Sequence, residues 1–292
     1  MAHTKSVKAK AATNATGRKR KPARQAIQAL VITGFGLNCE RETTCALNSA
    51  GAVTATVHLN DILDGQRSLR EFHILAFIGG FSFGDHIGAG TVFANRIRCR
   101  LRQELEQFVE AGRLVIGICN GFQTITRLGL VPALDGRRFT QQVALAQNSQ
   151  GMFRNAWITL RGEPKCPCVF TQGIDRLPLP IRHGEGRFVP ADDATLQRLE
   201  TENLVALRYI HPDSGEPTME FPHNPNGSVN AIAGICDPTG RVFGLMPHPE
   251  AYLSPFNHPQ WPRQKIDGTL PEKGLGGKIF ENAVQFAAAN LV

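Results

Sequence analysis

Leu114–Val115–Ile116–Gly117–Ile118–Cys119–Asn120–Gly121–Phe122–Gln123 is the stretch whose reading decides the fold. It begins as an aliphatic run of strand length and stops at a cysteine with glycine two residues away on either side. Phe122, Ile125 and Leu128 then take up helical spacing. Strand, cysteine and helix in immediate succession predict a nucleophile elbow, a sharp turn that presents one side chain above a strand end. Side chains two before and two after the nucleophile would collide as strand and helix converge, and Gly117 and Gly121 remove them. The helix points its free N–H groups and positive dipole end at the sulfur, which favours thiolate and any oxyanion beside it. A lone G-x-C-x-G string is equally compatible with a small buried thiol, so the flanking sequence has to discriminate.

Upstream, Ala29–Thr33 and Val53–Leu59 read as strands, with a helix from Glu40 to Ala50 between them that closes on Gly51. A third strand, Ile74–Ile78, ends in Gly79–Gly80–Phe81–Ser82–Phe83–Gly84–Asp85. The spacing of Phe93, Ile97, Leu101, Leu105, Phe108 and Val109 predicts one helix over 91–111, the crossover to the elbow strand. Alternating strands and helices argue an α/β, doubly wound, mostly parallel sheet, with reactive groups at the carboxyl ends of the strands. The Gly79–Gly80 loop and Cys119 both occupy such ends.

The second half is more β-rich, with strands expected at Phe153–Leu160, Leu179–Ile181, Arg187–Pro190 and Leu204–Tyr209. A hairpin follows, Asn230–Cys236 and Val242–Met246, through a type I turn at Asp237–Pro238–Thr239–Gly240. After a Pro- and Gly-rich stretch from Ser254 to Gly277 the chain closes on an amphipathic helix carrying Ile279, Phe280, Ala283 and Val284.

A thiol needs a base, and the base needs a third group to orient it. Met246–Pro247–His248–Pro249–Glu250, at another strand end, supplies both: His248 as base and Glu250 as its orienting carboxylate. Acyl transfer also needs donors for an oxyanion. The backbone N–H of Asn120 is one, and Gly80 is the second, because glycine lets an amide turn to substrate without a side-chain clash.

Composition sets the outer limits. The 292 residues carry +7, but residues 1–25 hold eight Lys and Arg and no acid, which leaves the rest at −1. The basic tail, 1–26, lacks hydrophobic periodicity and is expected to be disordered, ahead of one domain at 27–292. No apolar run approaches a membrane span, and the seven cysteines show no disulfide framework, so a cytoplasmic protein with reduced thiols is expected. Cys166–Pro–Cys168 has no second pair at zinc-site spacing, and no metal site is expected.

Five stretches in order resemble one family: Gly79–Asp85, Gly117–Gln123, His183–Gly184–Glu185–Gly186–Arg187, Asn224–Pro225–Asn226–Gly227–Ser228 and Met246–Glu250. They are similar to the glutaminase component of phosphoribosylformylglycinamidine synthase, a class I, triad-type glutamine amidotransferase. The resemblance covers 27–292 and implies a flavodoxin-like sheet and a Cys119–His248–Glu250 triad. It implies that Gln123 contacts the substrate glutamine. Asn148 and Phe153 resemble an Asn-x-Ser-x-x-Phe stretch near the substrate, with Gln150 at the serine position, and make Asn148 a second substrate-binding residue. It further implies that His183 and Glu185 face a partner, with a charged turn as the alternative, and that Asn224–Ser228 divides between partner docking and a plain turn. Ammonia would pass to a separate synthetase subunit, which makes formylglycinamidine ribonucleotide and carries the ATP and Mg that this chain lacks; whether a small accessory subunit joins them stays open. A related-fold cysteine hydrolase or peptidase and a nucleic-acid-binding protein acting through the basic tail are the alternatives, the latter disfavoured by the near-neutral domain.

Overall fold

The computed structural model describes residues 26–292, so the expected basic tail lies, but for Ala26, outside the described residues. The chain runs β1 (Gln28–Thr33), α1 (Glu40–Ser49), β2 (Val53–His58), α2 (Leu59–Leu63), β3 (Ile74–Phe77), α3 (Thr91–Arg100), α4 (Arg102–Glu110), β4 (Leu114–Ile118) and α5 (Asn120–Leu128). It continues through β5 (Val143–Ala146), β6 (Arg154–Gly162), β7 (Arg176–His183), β8 (Arg187–Pro190), α6 (Asp193–Thr201) and β9 (Val205–Tyr209). The last elements are β10 (Ile232–Cys236), β11 (Val242–Leu245), α7 (Trp261–Ile266) and α8 (Gly277–Asn290).

Nine strands form one sheet in the order β2-β1-β3-β4-β11-β10-β9-β6-β7, and β5 pairs with β8 in a small second sheet. From β2 to β11 every pairing is parallel. From β11 to β7 every pairing is antiparallel. The parallel half explains the unbroken aliphatic runs: every residue of β3, β4 and β11 is buried, as a sheet covered on both faces requires. The chain leaves β1 towards β2 in one direction and β3 towards β4 in the other. Right-handed crossovers then put α1 and the α3–α4 pair on opposite faces. Accordingly α1 packs with α8, and α3 packs with α5.

The helix expected over 91–111 is two helices. Leu101 breaks it at φ −120°, ψ 5°, with α3 burying Phe93 and Ile97 and α4 burying Leu105, Phe108 and Val109. On a straight helix the positions from Phe93 to Val109 would spread over about 160° of the circumference. The break re-aims the second half so that both apolar sets reach the core. Three elements that apolar periodicity passed over, β5, α6 and α7, lie in the second half, and α6 carries a capping signal: Asp192 Oδ1 accepts from Thr195 N at 2.7 Å. Asp237–Gly240 is a tight turn closed by Gly240 N to Asp237 O at 2.9 Å. Among the described residues no helix is long and apolar enough to cross a membrane.

Candidate active site

Cys119 is held at φ 52°, ψ −106°, a conformation that an L-residue with a side chain adopts only when its surroundings impose it. Its N–H donates to Leu245 O at 2.9 Å, which ties the elbow to β11. The glycines on either side act as the sequence implies. A Cβ on Gly117 would stand 2.7 Å from Gly121 O, and one on Gly121 would run into the carbonyl of Phe77 at the end of β3. Strand β3, strand β4 and helix α5 therefore meet with no room for a methyl group.

His248 follows β11. Its N–H donates to Pro180 O on β7 at 2.9 Å, so the antiparallel half of the sheet fixes the loop that carries it. Its Nδ1 lies 2.6 Å from Glu250 Oε1, and both side chains are buried. Burial opposes charge on the imidazole, but the Glu250 carboxylate, with Cys119 and Cys39, outweighs it and raises the His248 pKa well above the ordinary value. With Nδ1 engaged by Glu250, Nε2 is the nitrogen left without a hydrogen-bond partner among the described residues. The arrangement favours an imidazolium close to the Cys119 thiol, the acid that a departing amine needs.

Gly80, at φ 135°, is bound into the loop that follows β1: Leu37 bridges Gly80, Phe81 N donates to Gly36 O at 2.8 Å, and Asn38 N donates to Gly79 O at 3.3 Å. A Cβ on Gly80 would press on the backbone of Leu37 at 2.7 Å. Among the described residues the amides of Gly80 and Asn120 donate to no backbone carbonyl, leaving both available to a negatively charged oxygen.

The expected substrate contacts divide. Gln123 lies one turn into α5, accepts from Asn120 Nδ2 at 3.0 Å and donates through Nε2 to the backbone carbonyl of Glu185. Asn148 is buried and its side chain is fully occupied within the chain. Nδ2 donates to Met152 O and His183 O, each at 2.9 Å, and Oδ1 accepts from Gly186 N and His183 Nδ1, each at 3.1 Å. As folded, Asn148 clamps the His183–Gly186 loop.

Within that loop His183 differs from both expectations, being 2% exposed and neither a surface contact nor part of a charged turn, while Glu185 stays partly exposed. Burial, aided by the nearby His248, lowers the His183 pKa to about 3, so it is neutral at physiological pH. The Asn224–Ser228 stretch is likewise an internal brace. Asn226 Nδ2 donates to Gly186 O at 2.8 Å and to Tyr209 Oη at 3.1 Å, and Ser228 Oγ accepts from Phe188 N at 2.9 Å. Together these groups position the carbonyl of Arg182, which lies 3.7 Å from Cys119 Sγ.

Cys39 is a neighbour that motif reading passed over. Its Sγ is 4.0 Å from His248 Nδ1, and with Gly79 it walls the imidazole. Its place just beyond β1, another strand end, is the signal that could have found it. Cys39, His248 and Glu250 bring their ligand atoms within 4.8 Å of one another. The 2.6 Å His248–Glu250 bond fills that space, as a base and its orienting acid require.

Comparison with known proteins agrees with this geometry. A CobB/CobQ-like glutamine amidotransferase domain is matched over residues 26–287. The PurQ subunit of phosphoribosylformylglycinamidine synthase from Dehalococcoides mccartyi is 41% identical over 263 residues, covering 89% of this chain and 98% of that one. The PurQ subunit from Methanococcus maripaludis strain S2 is 41% identical over 268 residues, covering 88% and 96%. Among solved structures, PurLQS from Thermotoga maritima matches with a TM-score of 0.65 at 28% identity, covering 90% of this chain and 99% of that one. The chain belongs to the CobB/CobQ-like glutamine amidotransferase family, among the PurQ subunits of phosphoribosylformylglycinamidine synthase.

Proposed function

We propose that this chain is the glutaminase subunit of a phosphoribosylformylglycinamidine synthase, with Cys119, His248 and Glu250 as its triad. The observation that carries the reading is the buried His248–Glu250 pair beside a thiol held on a strained elbow, in a chain of amidotransferase descent. Cys119 sulfur attacks the side-chain amide carbon of glutamine. The oxyanion forms against the N–H groups of Gly80 and Asn120. As the C–N bond breaks, His248 gives its proton to the departing nitrogen, leaving ammonia and a thioester. His248 then takes a proton from water, the hydroxide attacks the thioester, and glutamate leaves with the thiolate restored. Glu250 holds the imidazole in register throughout.

Ammonia made in a buried site is useful only where a second enzyme receives it. The relatives are named as subunits of a synthase, which supports a separate synthetase partner that makes formylglycinamidine ribonucleotide; the ATP and Mg of that step are assigned to the partner as part of the same proposal. A biosynthetic role of this kind, with no membrane-spanning helix among the described residues, supports a cytoplasmic setting. The test is reconstitution with the synthetase subunit. Cys119→Ala is expected to abolish synthesis driven by glutamine and to spare synthesis driven by added ammonium. Retention of glutamine-driven synthesis would sink the reading.

A further inference from the structure

Cys166 and Cys236 bring two free thiols together at the pole of the sheet opposite the triad. Cys119 follows the carboxyl end of β4, to which β11 is parallel, and β10 returns antiparallel to β11, so Cys236 ends its strand at the far pole from Cys119. Cys166 and Cys168 lie in the loop from β6 to β7, which turns at that same pole. Cys166 Sγ stands 3.5 Å from Cys236 Sγ, a contact made across 70 residues of sequence. All three cysteines are free, with Cys166 4% exposed and Cys168 and Cys236 fully buried.

The backbone around the pair is held by bonds that do not involve sulfur. Val169 N donates to Gly240 O at 3.0 Å, and Gln172 Nε2 donates to the carbonyls of Cys166 and Cys168 at 3.2 and 3.0 Å. A Cβ on Gly240 would run into the carbonyl of Pro167, so the hairpin turn and the loop are already in contact. Closing 3.5 Å to a sulfur–sulfur bond of about 2.05 Å then asks for side-chain rotation rather than a rearranged fold. Lys165 and Pro167 are exposed on either side of Cys166, which puts its sulfur just beneath the surface.

The two thiols are also unequal. Hydrogen bonding from Cys236, with help from the Cys168 N–H, lowers the Cys166 pKa against burial and the Glu163 charge. Hydrogen bonds to Cys166 and Cys168, together with burial, raise that of Cys236. Cys166 is the sulfur disposed to attack, and Cys236 keeps a proton to give.

We propose that Cys166 and Cys236 are a site of oxidative modification, a thiol pair that hydrogen peroxide converts to a disulfide. The Cys166 thiolate attacks one peroxide oxygen: the S–O bond forms, the O–O bond breaks, and hydroxide leaves and takes up the proton that Cys166 released. The Cys236 sulfur then attacks the sulfur of this sulfenic acid. The S–S bond forms, the S–O bond breaks, and the hydroxyl departs as water with the Cys236 proton. Two thiols are oxidised and one peroxide is reduced to two molecules of water. The bond ties the β6–β7 loop to the end of β10, and a thiol reductant reverses it. The site stands apart from the glutamine chemistry and does not rest on the glutaminase reading.

The experiment treats the folded full-length chain, carrying Cys119→Ala so that the elbow thiol takes no part, with hydrogen peroxide, and maps its peptides without reduction. Fragmentation that separates Cys166 from Cys168 is expected to find Cys166 joined to Cys236. The bond is expected to raise the thermal midpoint by about 5 °C, and dithiothreitol to remove both the link and the rise. Cys168→Ser keeps the link, while Cys166→Ser and Cys236→Ser each abolish it. The peptide map of the parent chain needs none of these three variants, so a folding failure in one of them leaves the test intact. Oxidation of the exposed Cys45 and Cys99 shows that the peroxide has acted. Their oxidation without a link between 166 and 236, a link to Cys168 in place of Cys166, or a link that forms only once urea has unfolded the chain would overturn the site.

Discussion

His248 Nδ1 and Glu250 Oε1 stand 2.6 Å apart with their side chains 3% and 1% exposed, a buried contact made two residues apart in sequence. Proline on both sides of His248 limits the backbone that presents the pair. Because the carboxylate holds the imidazole charged, the pair links chemistry to stability.

Glu250→Gln keeps the shape and removes the charge. Glutamine-driven turnover is expected to fall about a thousandfold or more, since the base loses its orienting partner and the proton it would give to ammonia. The raised pKa of His248 also sets a pH dependence. A group whose folded pKa lies above its unfolded value stabilises fully below the unfolded value of 6.5, and that contribution fades as pH rises through the folded value. Wild type should therefore lose stability on the alkaline side more steeply than Glu250→Gln. Urea titrations across pH for both proteins measure it, and parallel curves would contradict it.

Gly121→Ala tests the elbow's geometry apart from its chemistry. The added methyl would overlap the Phe77 carbonyl at the end of β3, where neither strand nor helix can retreat without tearing the parallel ladder. A loss of about 3 kcal/mol or more is expected, or failure to fold. Gly117→Ala meets Gly121 O at 2.7 Å and the movable end of Ile125, so its cost should be smaller, about 1–3 kcal/mol. Denaturant midpoints rank the two.

What could be read in advance followed the parallel half of the sheet. There, aliphatic runs and strand-end loops are local signals, and Gly80, Cys119 and His248 all fall where those signals end. The antiparallel half was less legible because its polar residues act across long separations. Asn148, Asn226 and Ser228 look like loop residues in sequence, and only the fold turns them inward onto the backbone of residues 183–188. The break at Leu101 was hidden for a different reason, since an i, i+4 apolar pattern reads as continuous even where a straight helix would rotate it off the core. Cys39 carried no motif beyond its place at a strand end, and only the order of the sheet, with β1 beside β3 and β11 two strands further on, brings it to His248 across Gly79.

Asn148→Ala separates clamp from substrate contact. It would leave the Gly186 N–H and the His183 ring nitrogen unpaired in a buried loop, along with the carbonyls of Met152 and His183. A loss of about 2–4 kcal/mol is expected, with faster hydrogen exchange at Gly186. Unchanged stability with a raised KM for glutamine would instead mark Asn148 as a substrate contact.

Cys119 itself is where stability and function should oppose one another. At φ 52°, ψ −106° a Cβ is strained, and the surrounding ladder and the Cys119 N to Leu245 O bond hold it there. Replacing Cys119 by Ala and by Gly removes the thiol in both cases, and both should lack glutamine-driven activity. Only Gly also relieves the backbone, so Cys119→Gly is expected to exceed Cys119→Ala in stability by about 1 kcal/mol, the reverse of the usual penalty for glycine in a folded segment. Paired thermal or urea denaturation of the two variants measures the difference. If Ala proves the more stable, the elbow carries no stored strain, and the aim of the sulfur has to come from side-chain packing alone.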